Sequence, residues 1–184
     1  MKNLAIATVI ILVAALSGCA GPARNEQMVA QTAPADRIIK TPMSNNIAVS
    51  GVSGGKETNP MWVSKVGNSE FEQALEASLK EAGMLSGGKQ DGKFVLVATM
   101  EKLEQPFAGF SMTVTATVNY VLTERTTGKQ VMSKRIAVPF TASVSDAFVA
   151  GERLRLANEG AVRVNIGELI GEIRKVGING VAMN

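Results

Sequence analysis

Between Ser111 and Thr123 the chain alternates with a period of two: Met112, Val114, Ala116, Val118, Tyr120 and Leu122 are apolar, while Ser111, Thr113, Thr115, Thr117, Asn119 and Thr123 are polar, with Val121 alone breaking the polar row. Successive strand side chains point to opposite faces, so such a strand has one face on a core and the other in water. That pattern demands an antiparallel sheet covered on one side. Thr126-Thr127-Gly128-Lys129 supplies a tight turn, and Val131 to Val144 returns with Ile136, Val138, Phe140 and Ala142 at period two, completing a long hairpin. Pro139 has no N–H to give the ladder, which predicts an edge position, a bulge or a bend. Upstream, Phe94, Leu96, Ala98 and Met100 alternate after the turn region Gly87–Gly92 and predict another strand, apolar on both faces at its start. Ile47–Val52 predicts a short strand before a Gly/Ser/Asn/Pro loop that runs from Ser53 to about Asn68.

Two segments carry the helical period instead. Ser69-Glu70-Phe71-Glu72 has the form of a capping box, with Phe71, Leu75, Leu79 and Ala82 on one face and Gly83 placed for a left-handed C-cap. From about Asp146 to about Val176, Leu154, Ala157, Ala161, Val162, Ile166, Leu169, Ile170 and Ile173 form a second apolar stripe, interrupted by Gly151 and Gly160. The expected fold class is α+β: a two-layer sandwich in which a mostly antiparallel sheet of about four strands carries two helices on one face.

The N-terminus has a basic start, Met1-Lys2-Asn3, and an apolar run from Leu4 to Leu16 that ends in Leu16-Ser17-Gly18-Cys19. The run is shorter than the roughly 20 apolar residues of a membrane-spanning helix and fits the h-region of a secretory signal. Its end resembles the bacterial lipobox, which implies cleavage before Cys19, a diacylglycerol thioether on Cys19 and an acylated amine. Cys19 is the only cysteine, so lipidation would leave neither free thiol nor disulfide. Two or more acyl chains give lasting attachment where one gives marginal binding. Ala20 follows where the sorting rule of enteric lipoproteins uses aspartate for inner-membrane retention, which points to the outer membrane, facing the periplasm. The division expected is 1–18 as a lipoprotein signal peptide, 19–46 as a lipidated flexible tether rich in Pro, Gln, Asn, Thr and Ala, and 47–184 as a periplasmic domain. A tether of that length has a root-mean-square reach of about 25–30 Å.

Taken with the lipobox, the order of strand, helix with Phe71-Glu72-Gln73-Ala74-Leu75, long Thr-rich hairpin, and helix with Ala157-Asn158-Glu159-Gly160 resembles small outer-membrane lipoproteins of the LPS-assembly, YajG and CsgG-like type. The resemblance implies a non-enzymatic factor that docks onto an envelope barrel or enzyme, and Cys19 as the lipid attachment site.

The residues themselves offer little catalytic chemistry. Gly51-Val52-Ser53-Gly54-Gly55 has the form of a nucleophile elbow, yet the chain contains no histidine to complete a Ser-His-Asp triad. Gly83-Met84-Leu85-Ser86-Gly87-Gly88-Lys89-Gln90 matches a P-loop up to its lysine, but Gln90 stands where magnesium needs a hydroxyl and the segment follows a helix. Glu168 and Glu172, one helical turn apart, read as a solvated face beside Arg174 and Lys175. No cofactor or metal site is expected, and a net charge of +3 without a basic, aromatic-interleaved stripe argues against nucleic acid. Met61 and Trp62, in a polar loop, are the candidate partner contact; the alternative is that Trp62 folds back onto the sheet. Phe107 and Phe110 are expected to pack on the core. The leading expectation is therefore a non-enzymatic docking or assembly lipoprotein with an envelope protein as partner. The alternatives are a carrier or chaperone for an acyl chain or glycolipid and, third, an envelope enzyme that works without histidine.

Overall fold

The computed structural model describes residues 21–37, 40–58 and 64–182. Four strands form one sheet in the order β1-β2-β3-β4, made of β1 (Ile47–Ser53), β2 (Phe94–Glu104), β3 (Met112–Glu124) and β4 (Gln130–Ala142). β2, β3 and β4 form an antiparallel meander, whereas β1 pairs parallel to β2. A parallel pair needs a crossover, supplied here by a helix over Asn68–Glu81. Counting the one-turn helix α1 (Pro34–Arg37), this crossover is α2, and α3 runs unbroken from Ala150 to Ala182. The α+β class with helices on one face of the sheet is what the alternation at Met112–Leu122 required.

The inward residues of β3, Met112 through Leu122 at period two, are all buried, as are Phe94, Leu96, Ala98 and Met100 of β2. Val97 at the start of β2 is 40% exposed, so β2 does not bury both faces. β4 is an edge strand, and Pro139, opposite Thr115, sits where a missing donor leaves no interior ladder bond unmade. Gly160 does not break α3. It brings the helix against β4 so closely that a Cβ there would lie 2.2 Å from the Phe140 ring.

One local expectation fails. α2 begins at Asn68 with Gly67 as its N-cap and no side-chain cap; the Ser69 hydroxyl lies inside the first turn and accepts a hydrogen bond from Gln73 instead. Its C-terminus does follow the expected form. Gly83 adopts φ +69°, its N–H donates to the Lys80 carbonyl and that of Met84 to Leu79, the paired bonds of a glycine-terminated helix.

The larger correction concerns the expected tether. Residues 21–37 and 40–43 pack as a strap in the groove between α2 and α3, so the folded body begins well before Ile47. Met28 is fully buried, and Ala23, Ala30 and Met43 are 5% exposed or less. Toward α2, the Ala30 N–H donates to buried Ser78 Oγ at 2.9 Å, and Arg37 pairs with Glu81. Toward α3, Arg24 pairs with Glu159, Arg163 donates to the Gln27 carbonyl, and Arg174 meets Asp36 at 3.4 Å. Partners of rising number on the strap meet partners of rising number on α3, so the strap runs parallel to the helix. Its missing periodicity reflects its role: it has little repeating structure of its own and fills a groove made by two helices. The strap also explains why all six residues from Ala157 to Val162 are buried, since a helix packed on a sheet alone would leave its back in water.

Candidate interaction site at one end of the sheet

The C-terminal ends of β1, β2 and β4 and the N-terminal ends of β3 and α3 converge at one end of the molecule. Buried Arg153, on the first turn of α3, fastens the loops there. Its guanidinium donates to the carbonyls of Ala147 (2.7 Å) and Phe148 (3.0 Å) after β4, and of Gly109 (3.1 Å) between β2 and β3. A second set of bonds joins Gln105 to the carbonyl of Ser64 and to Asn158 Oδ1, both at 2.8 Å, while Asn158 Nδ2 donates to the Ser64 carbonyl at 3.0 Å. The loops are thereby held by α3 rather than by a core of their own.

On this frame stand side chains that no described residue covers. Phe107 is fully exposed, Phe110 and Phe148 are 87% and 89% exposed, and Val149 is half exposed. The expectation that Phe107 and Phe110 pack on the core is overturned: the loop Gln105–Ser111 projects beyond the ends of the strands, where the sheet has no inner face to receive them. Between this loop and the start of α3 lies an open cleft of about 500 Å³ lined by Pro106, Phe107, Met112, Ala150 and Leu154. Across Gln105–Ser111 and Ser143–Gly151 the only charged residue is Asp146. Its carboxylate accepts from the Ser143 N–H (2.7 Å) and hydroxyl (2.8 Å), and these bonds hold its pKa below the ordinary value.

The strap starts at the same end. Gly21 lies against Arg155, and a Cβ at Gly21 would be 3.0 Å from the Arg155 guanidinium. Three residues later Arg24 is gripped by Glu159, whose side chain is 1% exposed: Oε1 accepts from the Arg24 N–H and Nε at 2.9 and 3.0 Å, and Oε2 from Nη2 at 3.1 Å. This hydrogen bonding raises the Arg24 pKa against the opposing effect of burial.

The sequence-derived site residues Cys19, Met61 and Trp62 lie outside the described residues. The flanks of the Met61–Trp62 segment do reach this end, where Thr58 bonds both backbone groups of Lys65. Gly54 of the elbow-like motif has φ +81° and approaches β2 so closely that a Cβ would overlap the Met100 carbonyl, a backbone reason for that glycine. Lys89 of the P-loop-like segment is paired with Glu72 and, at 3.8 Å, with Glu76. Glu172 pairs with Lys134 and Lys175, which pull its pKa down to about 2. Among the described residues no group of three or more Asp, Glu, Cys or His is placed to hold a metal, and no helix is long and apolar enough to cross a membrane. Sequence reasoning missed Arg153, Glu159 and Phe148. The run Ala157-Asn158-Glu159-Gly160 held a signal, because polar residues flanked by a stripe of core residues on a helix need a second surface to satisfy them.

No protein-family model and no curated protein matches this chain. Among solved structures it is similar to a protein from Xanthomonas campestris described by the family model DUF330, with TM-score 0.60 and 16% identity over 83% of this chain and 95% of that one. It is also similar to a lipoprotein candidate from Caulobacter crescentus, with TM-score 0.51 and 11% identity over 78% and 95% of the two chains. At such identities the likeness is one of fold.

Proposed function

We propose that this protein is a bacterial envelope lipoprotein, held through lipidated Cys19 on the periplasmic face of the outer membrane, where its domain serves without catalysis as a docking or assembly factor for an envelope protein. The observation that carries the reading is how soon the folded body follows the anchor residue: Ala23 is buried four residues after Cys19, and Arg24 is clamped by Glu159. A chain that spans at most about 3.6 Å per residue puts Cys19 within about 14 Å of Ala23. The domain would thus work at the membrane surface rather than on a long leash. The fold it shares with the Caulobacter lipoprotein candidate supports the reading. The outward face of the sheet is polar, with Thr113, Ser133, Arg135 and Thr141 exposed. Met61 and Trp62 are the proposed contact in the neighbouring loop.

The test is membrane fractionation of cells fed labelled palmitate, with Cys19→Ser beside the wild type. Label in the wild type and none in the variant is expected; an unlabelled wild type refutes the lipoprotein. Ala20→Asp should move the protein to the inner membrane of an enteric host, and crosslinking in intact cells should capture one envelope protein. The second reading, a carrier of acyl chains, draws on the apolar cleft beside Phe107, whose volume falls in the range of ligand sites. Mass spectrometry of the gently purified protein would show a stoichiometric acyl lipid if it holds.

A further inference from the structure

We infer that Phe107, Phe110, Phe148 and Val149 form a tip that enters the lipid surface beside Cys19, fixing how the domain stands on the membrane; the position of the lipid relative to the tip rests on the anchor proposed above. Three aromatic rings lie almost wholly in water on loops that carry one charge, itself satisfied within its loop. Isolated exposed apolar residues are ordinary, but a cluster at one end of a domain marks a contact surface. The Arg153 clamp holds both loops against α3, so the rings are presented in place and little ordering is lost when they are covered.

What identifies the occupant is how near the anchor residue stands to this end. Gly21 packs against Arg155, about 7.5 Å along the helix axis from Ala150, and Phe148 and Gly109 are fastened two residues earlier by Arg153. Cys19 precedes Gly21 by two residues and so lies within about 7 Å of it. Acyl chains at Cys19 therefore bring the bilayer to the end of the domain that carries the rings. The strap then leads away from that end, parallel to α3, whose 33 residues carry the far end about 50 Å from the tip. Aromatic and aliphatic side chains of this kind seat at the boundary of headgroups and acyl chains, where burial of apolar area adds to a covalent lipid.

The test uses the mature lipidated chain in vesicles of phosphatidylethanolamine and phosphatidylglycerol, with a nitroxide on Phe107→Cys, on Phe148→Cys, or on Thr126→Cys at the opposite end of the sheet. Labels at 107 and 148 are expected to collide preferentially with membrane-dissolved oxygen, and the label at 126 with a water-soluble nickel chelate. Chelate access at 107 and 148 equal to that at 126 overturns the inference. Shielding of both positions from oxygen and chelate alike also overturns it, since a protein partner or a second copy would then be the cover. In a Phe107→Ser, Phe110→Ser, Phe148→Ser background, the oxygen-to-chelate ratio of a label on Val149→Cys should fall by about tenfold, and an unchanged ratio counts against the tip. Mass spectrometry of the mature chain reads the anchor separately. An unmodified Cys19 defeats the lipoprotein reading, while the same labels on a Cys19→Ala chain mixed with vesicles still decide the tip.

Discussion

If the strap, residues 21–37 and 40–43, belongs to the folded body, Met28→Ala should destabilise it, whereas in a flexible tether the change would cost nothing. The Met28 side chain is fully buried between α2 and α3. Truncation to alanine removes three heavy atoms beyond Cβ, worth about 2 kcal/mol at about 0.8 kcal/mol per methylene-sized group. The cavity left behind adds about 1 kcal/mol, a modest figure because the strap lies at the surface and can partly collapse into the gap. The expected loss is therefore about 3 kcal/mol, read from urea unfolding of the mature chain in detergent as a midpoint lowered by about 1.5–2 M with the slope unchanged. Gln31→Ala, three residues on and exposed, is the control and should change stability by no more than about 0.5 kcal/mol. A Met28→Ala midpoint indistinguishable from that of Gln31→Ala would refute the strap and restore the tether.

Arg24→Ala should cost about 2–3 kcal/mol, because it leaves the buried Glu159 carboxylate with a backbone N–H and a distant Arg155. The exposed part of Arg24 keeps the figure at the low end, and Arg24→Met with Glu159→Met should recover most of it in thermal melts. Gly160→Ala should cost about 1–3 kcal/mol through its clash with Phe140, and in a Phe140→Ala background it should become neutral or slightly stabilising, a coupling that a double-mutant cycle measures. Glu172 is held at about 2 by Lys175 and Lys134, below its unfolded value near 4.5. Its ion pairs thus contribute fully above about pH 4.5, and that contribution is lost as pH falls toward 2. The stability difference between wild type and Glu172→Gln should shrink across that window, and a constant difference would show that the pairs add nothing.

The alternation at Met112–Leu122 determined a sheet with one buried face, because strand geometry ties side-chain order directly to face; Pro139 left an edge, a bulge or a bend open, and the strand order made it an edge. The stripes from Phe71 to Ala82 and from Leu154 to Ile173 likewise determined two helices on that sheet. Ser69 was a weaker guide: a capping pattern shows that a hydroxyl can cap, but the chain began its helix at Asn68. The direction of β1 was open to the sequence, since a short strand followed by a loop and a helix can return on either side. Tertiary structure alone decided the strap, because Met28, Ala30 and Met43 are single apolar residues whose partners lie between two helices distant in sequence. It alone decided that Phe107 and Phe110 stand in water, because a phenylalanine is buried only where the fold supplies a face to meet it, and the sheet ends before their loop.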